Sequence, residues 1–195
     1  MERRRRNFLV SIASITAAAG AVIASWPFLA SLRPSARARS GGAPVKVDLR
    51  KIEAGHQITV AWQGKPIWVL RRSDAMLQRL TKDSLLEILV DPESRVSSQQ
   101  PAYARNPFRS IRPEILVTTA ICTHLGCVPV FRPDIGARDI GGDWPGGYFC
   151  PCHRSKFDFS GRVFKAVPAP TNLVIPPHRY LDDDTIEIGV SEKLT

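Results

Sequence analysis

The sequence lacks several features that point to common function classes. No segment repeats along its 195 residues, which excludes a solenoid architecture. The chain has 27 basic and 18 acidic residues. Seven of the basic residues and one of the acidic residues precede residue 45, so the rest of the chain has 20 basic and 17 acidic residues. That remainder carries a formal charge of only +3 and no basic stripe interleaved with aromatic residues. The sequence therefore does not predict binding to nucleic acid.

Cysteine and histidine are scarce as well, with four residues of each. All four cysteines and two of the histidines lie in two short stretches, CTHLGC from Cys122 to Cys127 and CPCHRS from Cys150 to Ser155. These stretches hold six potential metal ligands, which is more than one four-coordinate metal needs. The remaining histidines, His56 and His178, lie outside both stretches. We expect them to be surface or structural residues.

Charged residues are absent between Asn7 and Leu32, a run of 26 positions. As a helix the run would be about 39 Å long, against a hydrocarbon core of about 30 Å, so it predicts a transmembrane anchor. A cleaved secretory signal is the alternative, with a small-x-small site at Ala36-Arg37-Ala38, but such signals have shorter apolar stretches. Arg5-Arg6-Asn7-Phe8-Leu9 resembles a twin-arginine export signal, which would carry the folded domain out of the cytoplasm. We therefore assign residues 1–32 to a twin-arginine-type N-terminus and anchor.

A short linker separates this anchor from the main domain. Residues 33–44 are rich in Ser, Ala, Gly and Pro and show no apolar periodicity, which predicts a flexible neck. Residues 45–195 are typical of strands: QITVAW alternates apolar and polar residues, and PIWVLRR, EILVTTAI, DTIEIGV and NLVIP are rich in β-branched and aromatic residues. SDAMLQRLTK is the best helix candidate, with Ser73 or Asp74 as its N-cap.

These elements predict one antiparallel β domain with a smaller insert around the two cysteine stretches, at about residues 120–172. Each stretch begins where a predicted strand ends, after Ile115–Ile121 and after Tyr148–Phe149 respectively. We therefore expect the two loops to meet at one tip of the domain.

The six potential ligands can be divided in three ways. A single structural zinc takes four ligands from patterns that these spacings fit poorly, and it leaves two thiols unused. A four-cysteine iron–sulfur cluster leaves both histidines unused. A mixed-ligand 2Fe–2S cluster takes one Cys and one His from each loop, namely Cys122, His124, Cys150 and His153. Cys127 and Cys152 then remain for a disulfide, which an exported domain permits. Only this third division uses all six side chains, although the residues alone leave the other two open.

Together these motifs resemble those of the Rieske iron–sulfur proteins, and most closely the Rieske subunit of the bacterial cytochrome bc complex. The resemblance covers nearly the whole chain: the twin-arginine anchor, the neck, CTHLGC, CPCH-x-S and GRVFKAVPAPTNL. Two positions depart from the family pattern. Arg154 follows the second-loop histidine, where the family usually has Gly, and Phe157 stands where many members have Tyr.

The resemblance implies one Rieske-type 2Fe–2S cluster and a role for each residue of the motifs. The ligands and the disulfide are those of the third division above, and His153 is the ligand that contacts quinol. Ser155 is a candidate donor to a bridging sulfide, and Phe157 occupies the place of a tyrosine whose hydroxyl reaches a ligating cysteine. Leu125 belongs to an apolar rim with Val128-Pro129. The proline loop is VPAPTN, with Pro168 and Pro170, and would cover a third side of the cluster.

The implied fold is an antiparallel Rieske-type β-sandwich with a small cluster-binding subdomain, preceded by one transmembrane helix. The implied activity is electron transfer within ubiquinol–cytochrome c reductase, whose quinol oxidation is coupled to proton translocation. The partners would be ubiquinol, cytochrome b and a c-type cytochrome in a dimeric membrane complex, without nucleic acid. The chain would be a single-pass protein of the bacterial inner membrane with its domain on the periplasmic side.

Three other functions compete with this interpretation. The Rieske small subunit of an arsenite-oxidase-like periplasmic enzyme can carry an export signal and the extra cysteines, but it needs no long anchor or neck. A Rieske ferredoxin usually lacks the extra cysteines and any membrane span. A zinc-binding structural domain would have no redox function.

Overall fold

The computed structural model describes residues 2–35 and 42–191, which form two compact units, one within Met1–Gly41 and one within Gly42–Thr195. In the first unit, helix α1 spans Glu2–Ser31 and contains Pro27. It is long and apolar enough to cross a membrane, a criterion that an anchor and a signal sequence both meet. Residues 36–41 of the predicted neck, including the alternative cleavage site at Ala36-Arg37-Ala38, lie outside the described residues.

The second unit consists of short strands and two short helices. The strands are β1 (Val45–Asp48), β2 (Gln57–Trp62), β3 (Lys65–Arg71), β4 (Ile115–Thr119), β5 (Val130–Arg132), β6 (Gly147–Phe149), β7 (Lys156–Phe157), β8 (His178–Tyr180) and β9 (Thr185–Ile188). The helices are α2 (Asp74–Leu80) and α3 (Asp83–Leu86), and 3-10 turns occur at Leu49–Lys51, Ser97–Gln99 and Ala102–Ala104. Each paired strand is antiparallel to its neighbours, in three sheets ordered β1-β9-β8, β2-β3-β4 and β5-β6-β7. The mainly β, antiparallel fold predicted from the sequence is therefore confirmed.

The sheet β2-β3-β4 lies between the other two because its central strand is apolar on both faces. Ile67 and Val69 of β3 point to a core shared with Ile186 and Ile188 of β9, so the first two sheets form a sandwich. Trp68, the residue between them, points to the opposite core, where its ring stacks on Tyr148 of β6 at 4.7 Å between centroids. Alternate residues of a strand face opposite sides. One strand therefore joins the sandwich to the sheet that carries the cysteine loops.

Helix α2 begins where the sequence predicts. Ser73 is the N-cap, and its hydroxyl accepts a hydrogen bond from the Met76 amide at 3.4 Å. Serine is favoured at this position because it satisfies an amide that has no partner within the helix.

The prediction that NLVIP forms a strand is wrong. Residues 172–177 are extended but have no regular ladder partner, since their hydrogen bonds go to several different segments. The Leu173 amide donates to Gly161, the Ile175 amide donates to Gln99, and the Val174 carbonyl accepts from Thr119. Pro176 and Pro177 lack the amide hydrogens that would continue a ladder.

Three buried arginines connect irregular segments of the second unit. Arg162 forms a buried ion pair with Asp158 at 2.7 Å. Arg72 and Arg109 instead donate to main-chain carbonyl oxygens of the surrounding loops. Burial lowers the pKa of Arg72 to about 10 and that of Arg109 to about 9, so both remain charged at neutral pH. The guanidinium groups thus satisfy carbonyl groups that burial would otherwise leave unpaired.

The two histidines outside the motifs differ in environment. His56 is exposed. His178 is buried beside Tyr103, and its Nδ1 atom lies 2.9 Å from the Pro176 carbonyl oxygen. Burial lowers the pKa of His178 to about 4. Both locations agree with the prediction that these histidines are surface or structural residues.

Candidate metal centre

Two cysteine loops form the site, and they share one backbone pattern. In the first cysteine loop, Cys122–Cys127, the Cys122 amide donates to the Cys127 carbonyl at 2.8 Å and the Gly126 amide donates back to Cys122 at 3.1 Å. In the second cysteine loop, Cys150–Ser155, the Cys150 amide donates to Ser155 at 2.8 Å and the Arg154 amide donates back to Cys150 at 2.9 Å. Each loop is therefore a closed turn; two residues separate the first from the end of β4, and the second begins directly after β6.

A disulfide joins the two loops. It links Cys127 to Cys152, whose Cα atoms are 6.7 Å apart and which are separated by 25 positions in the sequence. The sulfur atoms of Cys127, Cys150 and Cys152 all lie within 4.8 Å of one another. Because the first and third of these are in the disulfide, Cys150 is the member of this group with a free thiol.

The free donors of the two loops are arranged in two pairs. Cys122 and Cys150 are free thiols, each 2% exposed. The rings of His124 and His153 lie 4.8 Å apart between centroids and are perpendicular. His153 is exposed whereas His124 is half-buried, a difference that the sequence did not predict. The thiols thus lie on the protein side of the site and the imidazoles on the outer side.

The Cys122 thiol is harder to ionise than an ordinary cysteine because its pKa is raised. Burial raises the pKa of the Cys122 thiol, and the nearby Cys150 raises it further, whereas hydrogen bonds from the His124 amide and the Ser155 hydroxyl lower it. A coordinating metal deprotonates a thiol outright. Two thiols and two imidazoles fit one Rieske 2Fe–2S cluster, in which two bridging sulfides complete the coordination of each iron.

The proline loop, Val167–Asn172, is fixed to both cysteine loops. The Ala169 amide donates to the Ser155 hydroxyl at 3.0 Å. The Thr123 hydroxyl donates to the Thr171 carbonyl at 2.7 Å. Pro168 and Pro170 are exposed on either side of the buried Ala169. Sequence reasoning identified Ser155 but missed Thr123, whose position inside CTHLGC was the available signal.

The remaining predicted site residues divide between core and surface. Phe157 is fully buried in β7, opposite Tyr148 of β6, and it shares a core cluster with both free thiols. Leu125 is 72% exposed and lies beside Val128, which is 53% exposed. Pro129, predicted to extend this apolar rim, is instead buried.

Comparisons with known proteins agree with this site. A sequence model of the Rieske 2Fe-2S domain matches residues 90–177, and one described as the ubiquinol–cytochrome c reductase Fe-S subunit TAT signal matches residues 1–35. The latter match, together with helix α1, indicates membrane anchoring.

Full-length relatives carry the same name. The ubiquinol-cytochrome c reductase iron-sulfur subunit of Allochromatium vinosum is 55% identical over 189 residues, which are 97% of this chain and 90% of that protein. The subunit of Blastochloris viridis is 38% identical over 188 residues, which are 96% of this chain and 94% of that protein. Among solved structures, a chain of "Hyperthermophilic respiratory Complex III" is 21% identical with a TM-score of 0.46, covering 91% of this chain and 97% of its own.

The loops, their donor set and the full-length similarity thus agree, and the chain belongs to the family of ubiquinol–cytochrome c reductase iron–sulfur subunits.

Proposed function

We propose that this chain accepts an electron and a proton from ubiquinol and passes the electron to a c-type cytochrome within a cytochrome bc complex. The observation that carries the proposal is the donor set, two buried free thiols and two outward imidazoles on disulfide-linked loops. The names of its full-length relatives support the same function. They do not favour the alternative of an arsenite-oxidase-like small subunit.

The four free donors divide between two irons. Cys122 and Cys150 would hold one iron, and His124 and His153 would hold the other. When bound, such a cluster supplies one-electron chemistry at roughly −150 to +300 mV, above the range of plant-type all-cysteine clusters. Ser155 would donate a hydrogen bond toward this group, while its hydroxyl accepts one from the Ala169 amide of the proline loop.

The proton is held by an imidazole. A ligating histidine uses one ring nitrogen for the metal and keeps the other for a proton or a hydrogen bond. His153 is the exposed ring of the pair, so it is the ligand that hydrogen-bonds the quinol. His124, which is half-buried, would hold the same iron.

The apolar tip of the domain binds the partner at the quinol site. Leu125 of the first cysteine loop is 72% exposed, and Val128 and Val130, which follow that loop, are 53% and 47% exposed. Contact with cytochrome b would cover these side chains and exclude water from the reacting groups.

The N-terminal anchor determines on which side of the membrane the domain lies. Helix α1 spans the bacterial inner membrane once, and the twin-arginine-type N-terminus directs the domain to the periplasmic side. There the chain assembles into a dimeric complex.

Two measurements on detergent-solubilised membranes test the proposal. The reduced protein should give the electron paramagnetic resonance spectrum of a Rieske centre, whereas a zinc site would give none. It should also co-purify with b-type and c-type haem proteins. A Rieske spectrum without any haem protein would contradict the proposed complex but not the cluster.

A further inference from the structure

The two cysteine loops differ at one equivalent backbone position. The residue that closes each turn has a positive φ, +85° at Gly126 and +63° at Arg154. Glycine adopts this left-handed conformation without penalty, whereas the Cβ atom of an arginine opposes it. A strained residue at a functional loop is evidence that its side chain contributes something there.

The Arg154 side chain connects the second cysteine loop to the segment between β5 and β6, residues 133–146. Its Nη2 atom donates to the Asp139 carbonyl oxygen at 3.2 Å. Its guanidinium carbon lies 5.3 Å from the centre of the Phe149 ring, within the range of a cation–π contact. These contacts hold the residue that directly follows His153.

The positive charge of Arg154 is not neutralised by a carboxylate. The carboxylate of Asp139, whose carbonyl Arg154 binds, is already bound by Arg132, with oxygen–nitrogen distances of 2.6 and 3.0 Å. Within residues 42–191, no salt bridge includes Arg154. Its hydrogen-bond partner is a carbonyl oxygen, so no direct ion pair neutralises its charge.

Arg154 and His153 line the same open groove, which has a volume of about 610 Å³. The other charged side chains along it are Glu87, Asp143, Lys156 and Lys165. Three cations therefore face two carboxylates beside the exposed ligand candidate.

We propose that Arg154 is a positioning residue of the metal centre, which tethers the second cysteine loop through Asp139 and keeps an unpaired positive charge beside His153. This inference rests on the proposed function, since it concerns the bound cluster. Reduction adds one negative charge to the centre, so a fixed positive charge nearby stabilises the reduced form more than the oxidised form. The strained backbone is retained because the side chain makes the centre a stronger oxidant.

The test compares midpoint potentials of the full-length protein at one pH and low ionic strength, where screening is weakest. R154Q should lower the ratio of reduced to oxidised protein about threefold at a given ambient potential. For one electron this corresponds to a midpoint potential about 28 mV lower. R154K keeps the charge and should stay close to the wild type. R154G should match R154Q in potential but melt at a higher temperature, because glycine relieves the left-handed backbone. K51Q makes the same charge change at an exposed site in the 3-10 turn that follows β1, and it serves as the control.

The outcomes separate this inference from the proposed function. The role of the charge is supported if the midpoint potential is lower in R154Q and R154G but unchanged in R154K and K51Q. The difference from the wild type should also become smaller in 1 M salt. An unchanged potential in R154Q, with a normal Rieske spectrum, contradicts the inference and leaves the proposed function intact. An equal decrease in R154Q and R154K also contradicts it. Absence of a Rieske spectrum in the wild type contradicts both. If R154Q loses its cluster, the comparison of R154G with R154K decides the same question.

Discussion

Replacing Cys127 and Cys152 with serine removes the covalent link between the two cysteine loops. The variant keeps all four proposed ligands and changes neither the charge of the domain nor its strands. Any loss of stability or cluster content therefore reports on the link itself.

The size of the effect follows from the length of chain that the disulfide closes. A closed loop of 25 residues lowers the entropy of the unfolded chain by an amount worth about 3.5 kcal/mol at 25 °C. For a domain of about 150 residues, 1 kcal/mol corresponds to roughly 2–4 °C in melting temperature. The double variant should therefore lose its cluster absorption at a temperature roughly 7–14 °C below that of the wild type.

The assay is thermal melting of the oxidised protein in detergent, followed by the visible absorption of the cluster. The conservative loop variant Val128→Ser is the matched control, because it changes an exposed residue next to Cys127 without touching the disulfide. A double variant that melts within 2 °C of this control would refute the reasoning. Mass spectrometry that found both thiols free in the purified wild type would refute it as well.

Three further predictions concern the ligands, the buried histidine and the tuning of the cluster. Replacing any proposed ligand should abolish the Rieske spectrum, and a normal spectrum in His124→Ala would show that the ligands are divided wrongly. The pKa of His178 is about 4 in the folded state, against an ordinary 6.5. Between these two values only the unfolded state binds the proton, so the free energy of unfolding falls by up to about 3 kcal/mol as the pH is lowered from 6.5 to 4. The difference in melting temperature between wild type and His178→Gln should therefore vary between pH 4 and 6.5, and parallel curves would contradict this. Phe157→Tyr should raise the midpoint potential by about 40 mV if its hydroxyl donates to a ligating sulfur, since a bond worth about 1 kcal/mol more in the reduced state gives that shift. A structure with the hydroxyl facing the sulfur but an unchanged or lower potential would count against it.

The sequence predicted those parts of the domain that depend on local pattern. The β2 strand follows from the alternation in QITVAW, and helix α2 begins at Ser73 because a capping residue precedes an apolar run. The meeting of the two cysteine loops followed from the placement of each motif after a strand. These features depend on neighbouring residues, which a single sequence displays directly.

Features that depend on distant residues could not be predicted in this way. Leu173 and Ile175 have the composition of a strand, but their amides bond to Gly161 and Gln99. Arg109 is buried because it satisfies carbonyl groups of segments about 10 and 50 positions away, whereas arginine is ordinarily exposed. The difference in exposure between His124 and His153 likewise arises from what packs around each loop.

Two hydrogen bonds hold the proline loop against the cysteine loops, so both must break when this part of the domain opens locally. Opening of this loop breaks the bond from the Ala169 amide to Ser155 and the bond from Thr123 to the Thr171 carbonyl. Such partial opening is a cooperative event with its own free energy, below that of unfolding the sandwich. The Ala169 amide hydrogen is therefore a reporter of that event: its exchange with solvent deuterium measures how often the site opens while the rest of the domain stays folded.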